Sequence, residues 1–199
     1  MRIRIDLKIF IFLIIFYFTN QVRRYLIIMF FCIIHEIGHL LTGLILKMKV
    51  EKLEIMPFGL SVAFYINFND KYFKIKEILV ALAGPLTSLT LVILSKNIEA
   101  VYSNILILLF NLIPLYPLDG GRIIKGILQI KLDSLKTKII INKISYITMI
   151  ILTIIGSITV YYYQNVAIFL TCMFLWSITL RYCSDPISSI HLQPHQTIL

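Results

Sequence analysis

The sequence has little charge: charged residues make up 15% of its 199 residues, against 59% hydrophobic residues. Its mean hydropathy is +0.89, which is far above that of a soluble domain of this length. This composition excludes a water-soluble globular domain. It indicates an integral membrane protein.

Cysteine is also scarce, and the three cysteines, Cys32, Cys172 and Cys183, show no CxxC spacing. A disulfide framework and a thiolate metal site are therefore excluded, and we expect these residues to pack as small apolar side chains. The sequence contains no internal repeat and no low-complexity segment, and the tail after Leu180 is too short for a second domain. We therefore expect one membrane domain over residues 1–199.

Acidic residues are few: ten stand against nineteen Lys and Arg, and the formal net charge is +9. The basic residues lie at the ends of apolar runs rather than on one polar face, which favours membrane orientation over nucleic-acid binding. With six membrane spans, sixteen of the nineteen basic residues fall on one side of the membrane. The positive-inside rule then places both termini in the cytoplasm.

The apolar runs predict an all-α membrane protein with six transmembrane helices, since a span needs about 20 mainly apolar residues. The basic start of the chain has no small-residue cleavage site after it, so the first span is expected to stay uncleaved. The predicted spans cover residues 7–22, 25–46, 76–95, 99–118, 142–163 and 166–181.

A β-hairpin is predicted between the second and third spans, in the segment Val50 to Asn69. Apolar residues alternate there on both sides of Met56-Pro57-Phe58-Gly59, a sequence suited to a turn. We expect a membrane-associated hairpin covered by protein, because open sheet edges are unstable against lipid. The alternative is a surface hairpin that rests on the lipid headgroups.

The second predicted span contains the sequence HEIGH, which places His35, Glu36 and His39 inside an apolar helix. On a helix, His35 and His39 lie on one face about 6 Å apart along the axis. This HExxH spacing suits two imidazole ligands of one metal ion, with Glu36 able to reach a metal-bound water. The alternative is a protonated Glu36 that bonds a neighbouring helix, with the histidines as polar packing residues, but ionisable groups within membrane helices usually mark a functional site.

A catalytic zinc site commonly has three protein ligands, so a third ligand is expected elsewhere. Asp119 is the candidate, because it follows the fourth predicted span and reaches a depth similar to that of the histidines. Pro114 and Pro117 are expected to break that helix, and Gly120-Gly121 to allow a sharp turn after the ligand. Taken alone, LDGGR favours a helix stop at the water interface, and the HEIGH sequence is what favours a metal ligand instead.

Three motifs together resemble the site-2 protease family of intramembrane zinc metalloproteases, within peptidase family M50. They are HEIGH, the sequence AGP at Ala83-Gly84-Pro85, and the pattern NxxPxxPLDGG from Asn111 to Gly121. The six-span layout and the predicted hairpin are most similar to the sporulation branch of the family, in bacterial membranes.

The resemblance implies one zinc ion per chain, held by His35, His39 and Asp119, with Glu36 as the general base. It further implies that Asn111, Pro114 and Pro117 line the substrate cleft and that the hairpin contacts substrate. Many relatives have an Asn soon after AGP where this chain has Thr87-Ser88, so no catalytic role is carried over there. Members of the sporulation branch often end in a cytosolic nucleotide-sensing CBS domain, and no such domain is expected here.

The expected reaction is peptide hydrolysis near the cytoplasmic face. Zinc lowers the pKa of its bound water towards about 7, and Glu36 takes the proton and returns it to the departing amine. The Asn111 amide is a candidate donor to the oxyanion, or it satisfies the broken backbone near Pro114. The hairpin offers a strand edge to an extended substrate segment.

The expected partners are a membrane-tethered protein substrate, the lipid bilayer and inhibitory membrane proteins, and no nucleic acid is expected. The resemblance suggests the membrane-bound precursor of a sporulation sigma factor as substrate. The alternatives are cleavage of anti-sigma factors or signal-peptide remnants, a metal or proton transporter, and an inactive scaffold. The lack of repeated halves argues against a transporter, and the intact Glu36 argues against a scaffold.

Overall fold

The computed structural model describes residues 2–5, 8–18, 20–56, 59–65, 72–163, 173, 175–177 and 179–180. The elements in chain order are β1 (Arg2–Ile5), α1 (Lys8–Phe18), α2 (Val22–Ile45), β2 (Val50–Met56), β3 (Gly59–Phe64), α3 (Phe73–Leu94), α4 (Ile98–Asn111), α5 (Asp119–Lys131) and α6 (Ser134–Tyr163). The described residues form two compact units, of which the first ends at Asn111 and the second begins at Leu112.

Three of the described helices are long and apolar enough to cross a membrane: α2, α3 and α6. They correspond to the second, third and fifth predicted spans. The helices at the first and fourth predicted spans, α1 and α4, have only 11 and 14 residues, short of the roughly 20 that a span needs. The sixth predicted span, 166–181, falls largely outside the described residues, so a total of six spans stays a prediction.

The chain leaves α4 at Asn111, which corrects the prediction that the fourth span continues to Leu118. Proline explains the early end, because it lacks a backbone N–H and disfavours a helical conformation in the residue before it. Residues 112–118 form turns instead, with backbone hydrogen bonds from the N–H of Leu115 to the carbonyl of Ile113 and from that of Leu118 to the carbonyl of Leu115.

The polar connection after Asp119 forms the helix α5, which the sequence analysis does not predict. Gly120 and Gly121 lie inside its first turn, so the expected sharp turn after Asp119 is wrong. A Cβ atom on Gly120 would overlap the carbonyl of Leu112, and one on Gly121 would overlap the backbone of Leu115 and Tyr116. The glycines therefore let the start of α5 pack directly on the preceding turns.

Beside the helices, which make up most of the described residues, the first unit contains a three-stranded sheet with the order β1-β2-β3. β2 and β3 pair antiparallel, from Val50 with Phe64 to Met56 with Gly59, within the segment predicted to be a hairpin. Residues 57 and 58, the centre of the predicted turn, lie outside the described residues. β1 pairs with β2 in parallel and was not predicted. The position of this sheet relative to the membrane stays a prediction.

The sheet packs against the helices of the first unit through a small apolar core. Its buried residues are Met48, Val62, Phe64 and Val80, so the core joins β3 to α3 and to the segment that follows α2. The Phe64 ring occupies the space beside Gly43 of α2, where a Cβ atom would overlap the ring. The absence of a side chain at Gly43 therefore determines how closely β3 approaches α2.

The second unit is held together by contacts between residues 112–118 and α6. The backbone N–H of Tyr116 donates to the hydroxyl of Ser145 at 3.1 Å, and the Thr148 hydroxyl donates to the carbonyl of Pro114 at 3.3 Å. Leu115 and Met149 are fully buried. The proline-containing turns are thus fixed against a long helix.

Replacing Gly43 with Ala tests the contact between α2 and β3. We expect Gly43→Ala to lower the free energy of unfolding by about 1–3 kcal/mol, because the added methyl group overpacks the Phe64 ring. Thermal unfolding in detergent micelles measures the effect, with exposed Leu44→Ala as the control. Phe64→Leu in the same chain should recover part of the loss, and an unchanged midpoint for Gly43→Ala would refute the contact.

Candidate metal centre

Helix α2 presents two histidine side chains, one turn apart, to the interior of the first unit. His35 and His39 are each only 2% exposed, and their Nε2 atoms lie 3.2 Å apart. The two rings meet edge to face, with centroids 4.9 Å apart. Both Nε2 atoms therefore converge on one point, as the HExxH spacing predicts.

The other ring nitrogen of each histidine is held by α3. His39 Nδ1 lies 2.6 Å from the carbonyl oxygen of Val80, and His35 Nδ1 lies 2.8 Å from the hydroxyl of Ser88. A carbonyl only accepts hydrogen bonds, so the Nδ1 of His39 carries the hydrogen. In the neutral ring, His39 Nε2 then has its lone pair available to a metal ion.

The sequence Ala83-Gly84-Pro85 lies on α3 directly beside these rings, and all three residues are buried. A Cβ atom on Gly84 would overlap the Nε2 atoms of both His35 and His39. Between the two histidines on α2, a Cβ atom on Gly38 would overlap the Thr87 side chain. The two helices thus approach closely at the histidines, and the AGP sequence provides the space for the imidazoles.

Asp119 is the first residue of α5 and is 5% exposed. Its Oδ1 accepts a hydrogen bond from Arg122 at 3.4 Å within the same helix. The helix N-terminus also favours a carboxylate, because unpaired backbone N–H groups point towards it. Asp119 belongs to the second unit and the histidines to the first, so its place in the ligand set stays a prediction.

These residues fit a zinc ion. Two Zn–N bonds of about 2.0–2.1 Å at a tetrahedral angle place the nitrogens about 3.3 Å apart, close to the 3.2 Å between the histidine Nε2 atoms. Two neutral imidazoles and one carboxylate are also a ligand set found in catalytic zinc sites, which leave a position open to water or substrate. The arrangement can therefore support metal-assisted hydrolysis.

Glu36 follows His35 on α2 and is half-buried. Asn111 is the last residue of α4, and its side-chain amide donates to the carbonyl of Ile107 at 3.0 Å. This bond matches the alternative in which Asn111 satisfies helix backbone, and its oxyanion role stays a prediction. Pro114 is exposed and Pro117 is half-buried.

Three groups at the site have no role in the sequence analysis: the Val80 carbonyl, the Ser88 hydroxyl and the Arg122 guanidinium. A backbone carbonyl leaves no sequence signal. Ser88 could have been noticed because it stands where many relatives have Asn. Arg122 could have been noticed because it lies three residues after Asp119, the spacing of neighbours on a helix face.

Parts of the chain are similar in sequence to known proteins. Residues 97–152 match the model of peptidase family M50. A zinc metalloprotease of Methanocaldococcus jannaschii is 30% identical over 159 residues, which cover 72% of this chain and 44% of that protein. Stage IV sporulation protein FB of Bacillus subtilis is 26% identical over 118 residues, which cover 53% of this chain and 40% of that protein. The chain thus spans less than half the length of these relatives.

A solved structure, the site-2 protease from Methanocaldococcus jannaschii, has the same fold. The TM-score is 0.70 at 24% sequence identity, and the match covers 94% of this chain and 93% of that one. These findings confirm the resemblance to the site-2 protease family that the three motifs indicate.

Replacing Gly84 with Ala tests whether the close approach of α3 positions the histidines. We expect Gly84→Ala to weaken zinc binding roughly tenfold or more, because the methyl group displaces both imidazoles. Competition with a chromophoric chelator measures the affinity of the purified protein. Leu86→Ala, which is exposed on the same helix, should bind zinc like the parent, and a parent-like affinity for Gly84→Ala would contradict the geometry.

Proposed function

From its match to peptidase family M50 and its site-2 protease fold, we propose that the chain is an intramembrane zinc metalloprotease. Its substrates would be membrane-tethered proteins, cleaved near the cytoplasmic face. The observation that carries the proposal is the pair of buried imidazoles, whose Nε2 atoms converge at 3.2 Å within a helix long and apolar enough to span a membrane.

The location of the site supports an intramembrane substrate. Polar groups inside a membrane helix are costly and usually serve a function. Here both histidines are buried between helices and have hydrogen-bond partners on α3, so the helix shields them from lipid. A reaction between membrane-spanning helices requires a substrate that itself enters the membrane.

The proposed mechanism assigns distinct tasks to the residues of the site. His35, His39 and Asp119 would hold the zinc ion. When bound, zinc polarises the scissile carbonyl and makes water more acidic. Glu36 accepts the proton of the attacking water and returns it to the leaving amine, as a general base and then a general acid.

Two elements are proposed to bind the substrate. The Asn111 amide nitrogen carries two hydrogens, and its bond to Ile107 uses one, so the other can donate to the developing oxyanion. β3 lies at an edge of the described sheet, where an extended substrate segment can add by main-chain hydrogen bonds. Pro114 and Pro117 would shape the cleft beside Asn111.

The proposed substrate is the membrane-bound precursor of a sporulation sigma factor. Similarity to stage IV sporulation protein FB, at 26% identity over 118 residues, supports this choice. We further propose a multi-pass protein of a bacterial membrane with both termini in the cytoplasm, supported by the distribution of its basic residues. Inhibitory membrane proteins are the proposed regulatory partners.

Glu36→Gln tests the proposed general base. We expect cleavage of a co-expressed, tagged sigma factor precursor to fall by about 10²–10⁴-fold, the usual contribution of a general base, while zinc content stays unchanged. Immunoblotting measures the product. The control is Glu99→Gln, the same chemical change at an exposed residue that pairs with Arg23 at 3.1 Å. Normal cleavage by Glu36→Gln would eliminate Glu36 as the base.

Asp119→Ala tests the third ligand. The zinc content of the purified protein should fall well below one ion per chain, because loss of the carboxylate leaves only two protein ligands. Elemental analysis measures the metal, and Asp133→Ala, at an exposed position just before α6, is the control. One full equivalent of tightly bound zinc in Asp119→Ala would remove Asp119 from the ligand set.

A further inference from the structure

Ser88 of α3 is fully buried and meets a candidate zinc ligand on another helix. Its hydroxyl oxygen lies 2.8 Å from Nδ1 of His35, and Ser88 itself is 0% exposed. The equivalent nitrogen of His39 is held by the backbone carbonyl of Val80. The two imidazoles therefore depend on α3 in chemically different ways.

A helical serine or threonine often bonds its own helix through the carbonyl four residues earlier. Several do so in this structure: Thr87, Thr90, Ser103, Thr153 and Ser157. Ser88 departs from this pattern, because its hydroxyl forms a hydrogen bond with the His35 ring of α2. A purely structural helix serine does not require such a partner.

The bond has a direct consequence for His35 as a ligand. A neutral imidazole that binds metal through Nε2 carries its hydrogen on Nδ1, and that hydrogen needs an acceptor in a buried site. The Ser88 oxygen lies at the right distance to accept it. In the same geometry, the Nε2 of His35 points to the Nε2 of His39.

We propose that Ser88 is a positioning residue, which orients His35 and holds its Nε2 free for zinc. It acts through His35 and does not contact the metal or the substrate. The inference rests on the proposed zinc site. It assigns to Ser88, for His35, the role that the backbone carbonyl of Val80 has for His39. The Val80 carbonyl cannot be removed by a side-chain substitution, but the Ser88 hydroxyl can.

The test compares zinc affinity in full-length variants purified in detergent. Ser88→Ala removes the hydroxyl and should weaken zinc binding about 10–100-fold, the usual effect of losing the partner of a ligating histidine. The matched control is Ser103→Ala, because Ser103 is also a buried helix serine but bonds its own helix. That variant should bind zinc like the parent. Competition with a chromophoric chelator gives the affinities.

Two further measurements separate positioning from a loss of folding. Ser88→Thr keeps the hydroxyl, whereas Ser88→Val has nearly the shape of threonine without a hydroxyl. Ser88→Thr should therefore keep most of the zinc affinity of the parent, and Ser88→Val should bind zinc more weakly. The visible spectrum of cobalt bound in place of zinc should change for Ser88→Ala and Ser88→Val but not for Ser88→Thr or Ser103→Ala.

The outcomes distinguish the inference from the proposed function. If the parent and Ser103→Ala bind no zinc, the proposed metalloprotease site itself is wrong. If the parent binds zinc and Ser88→Ala binds it equally well, or Ser88→Val matches Ser88→Thr, only the role of Ser88 is refuted. Equal losses for Ser88→Ala and Ser103→Ala would likewise refute a specific role.

Discussion

The close packing of α2 on α3 is the interaction on which the site depends. His35 and His39 can converge only because Gly84 leaves room for both rings, and each ring is oriented by a hydrogen bond to α3. If α2 and α3 lay further apart by the width of a side chain, the two histidine rings would lose their hydrogen-bond partners Ser88 and Val80. The helix packing and the geometry of the candidate ligands are thus determined by the same contact.

Such packing is well suited to a membrane. Lipid tails are as apolar as leucine, so the hydrophobic effect does little to bring membrane helices together, and close van der Waals contact and interhelical hydrogen bonds matter more. On α2, Gly38 faces Thr87 of α3 and Gly43 faces Phe64 of β3. One of these small residues thus lies between the two histidines and the other one turn after them, on the same helix.

The sequence predicts that the two histidines lie on one helix face, because a spacing of four residues places side chains there whatever surrounds them, and their Nε2 atoms do converge. Asp119 is a candidate ligand through its motif and stays a prediction. The sequence misses the helix that begins there, since the glycines suggest a turn until the packing of α5 on residues 112–116 is known. β1 has only four residues and becomes a strand through its pairing with β2. The Val80 carbonyl could not be predicted, because every residue has one.

The break between α4 and α5 has an electrostatic consequence for Asp119. Had the fourth span continued to Leu118, Asp119 would follow the C-terminal end of a helix, where exposed carbonyls repel a carboxylate. Because the chain breaks at residues 112–118, Asp119 instead begins α5, where backbone N–H groups stabilise its charge by about 0.3–1 kcal/mol. Arg122, one turn later, adds a positive partner. Because of the prolines in the motif, Asp119 lies at a favourable helix start rather than at an unfavourable helix end, which stabilises the charge of this buried carboxylate.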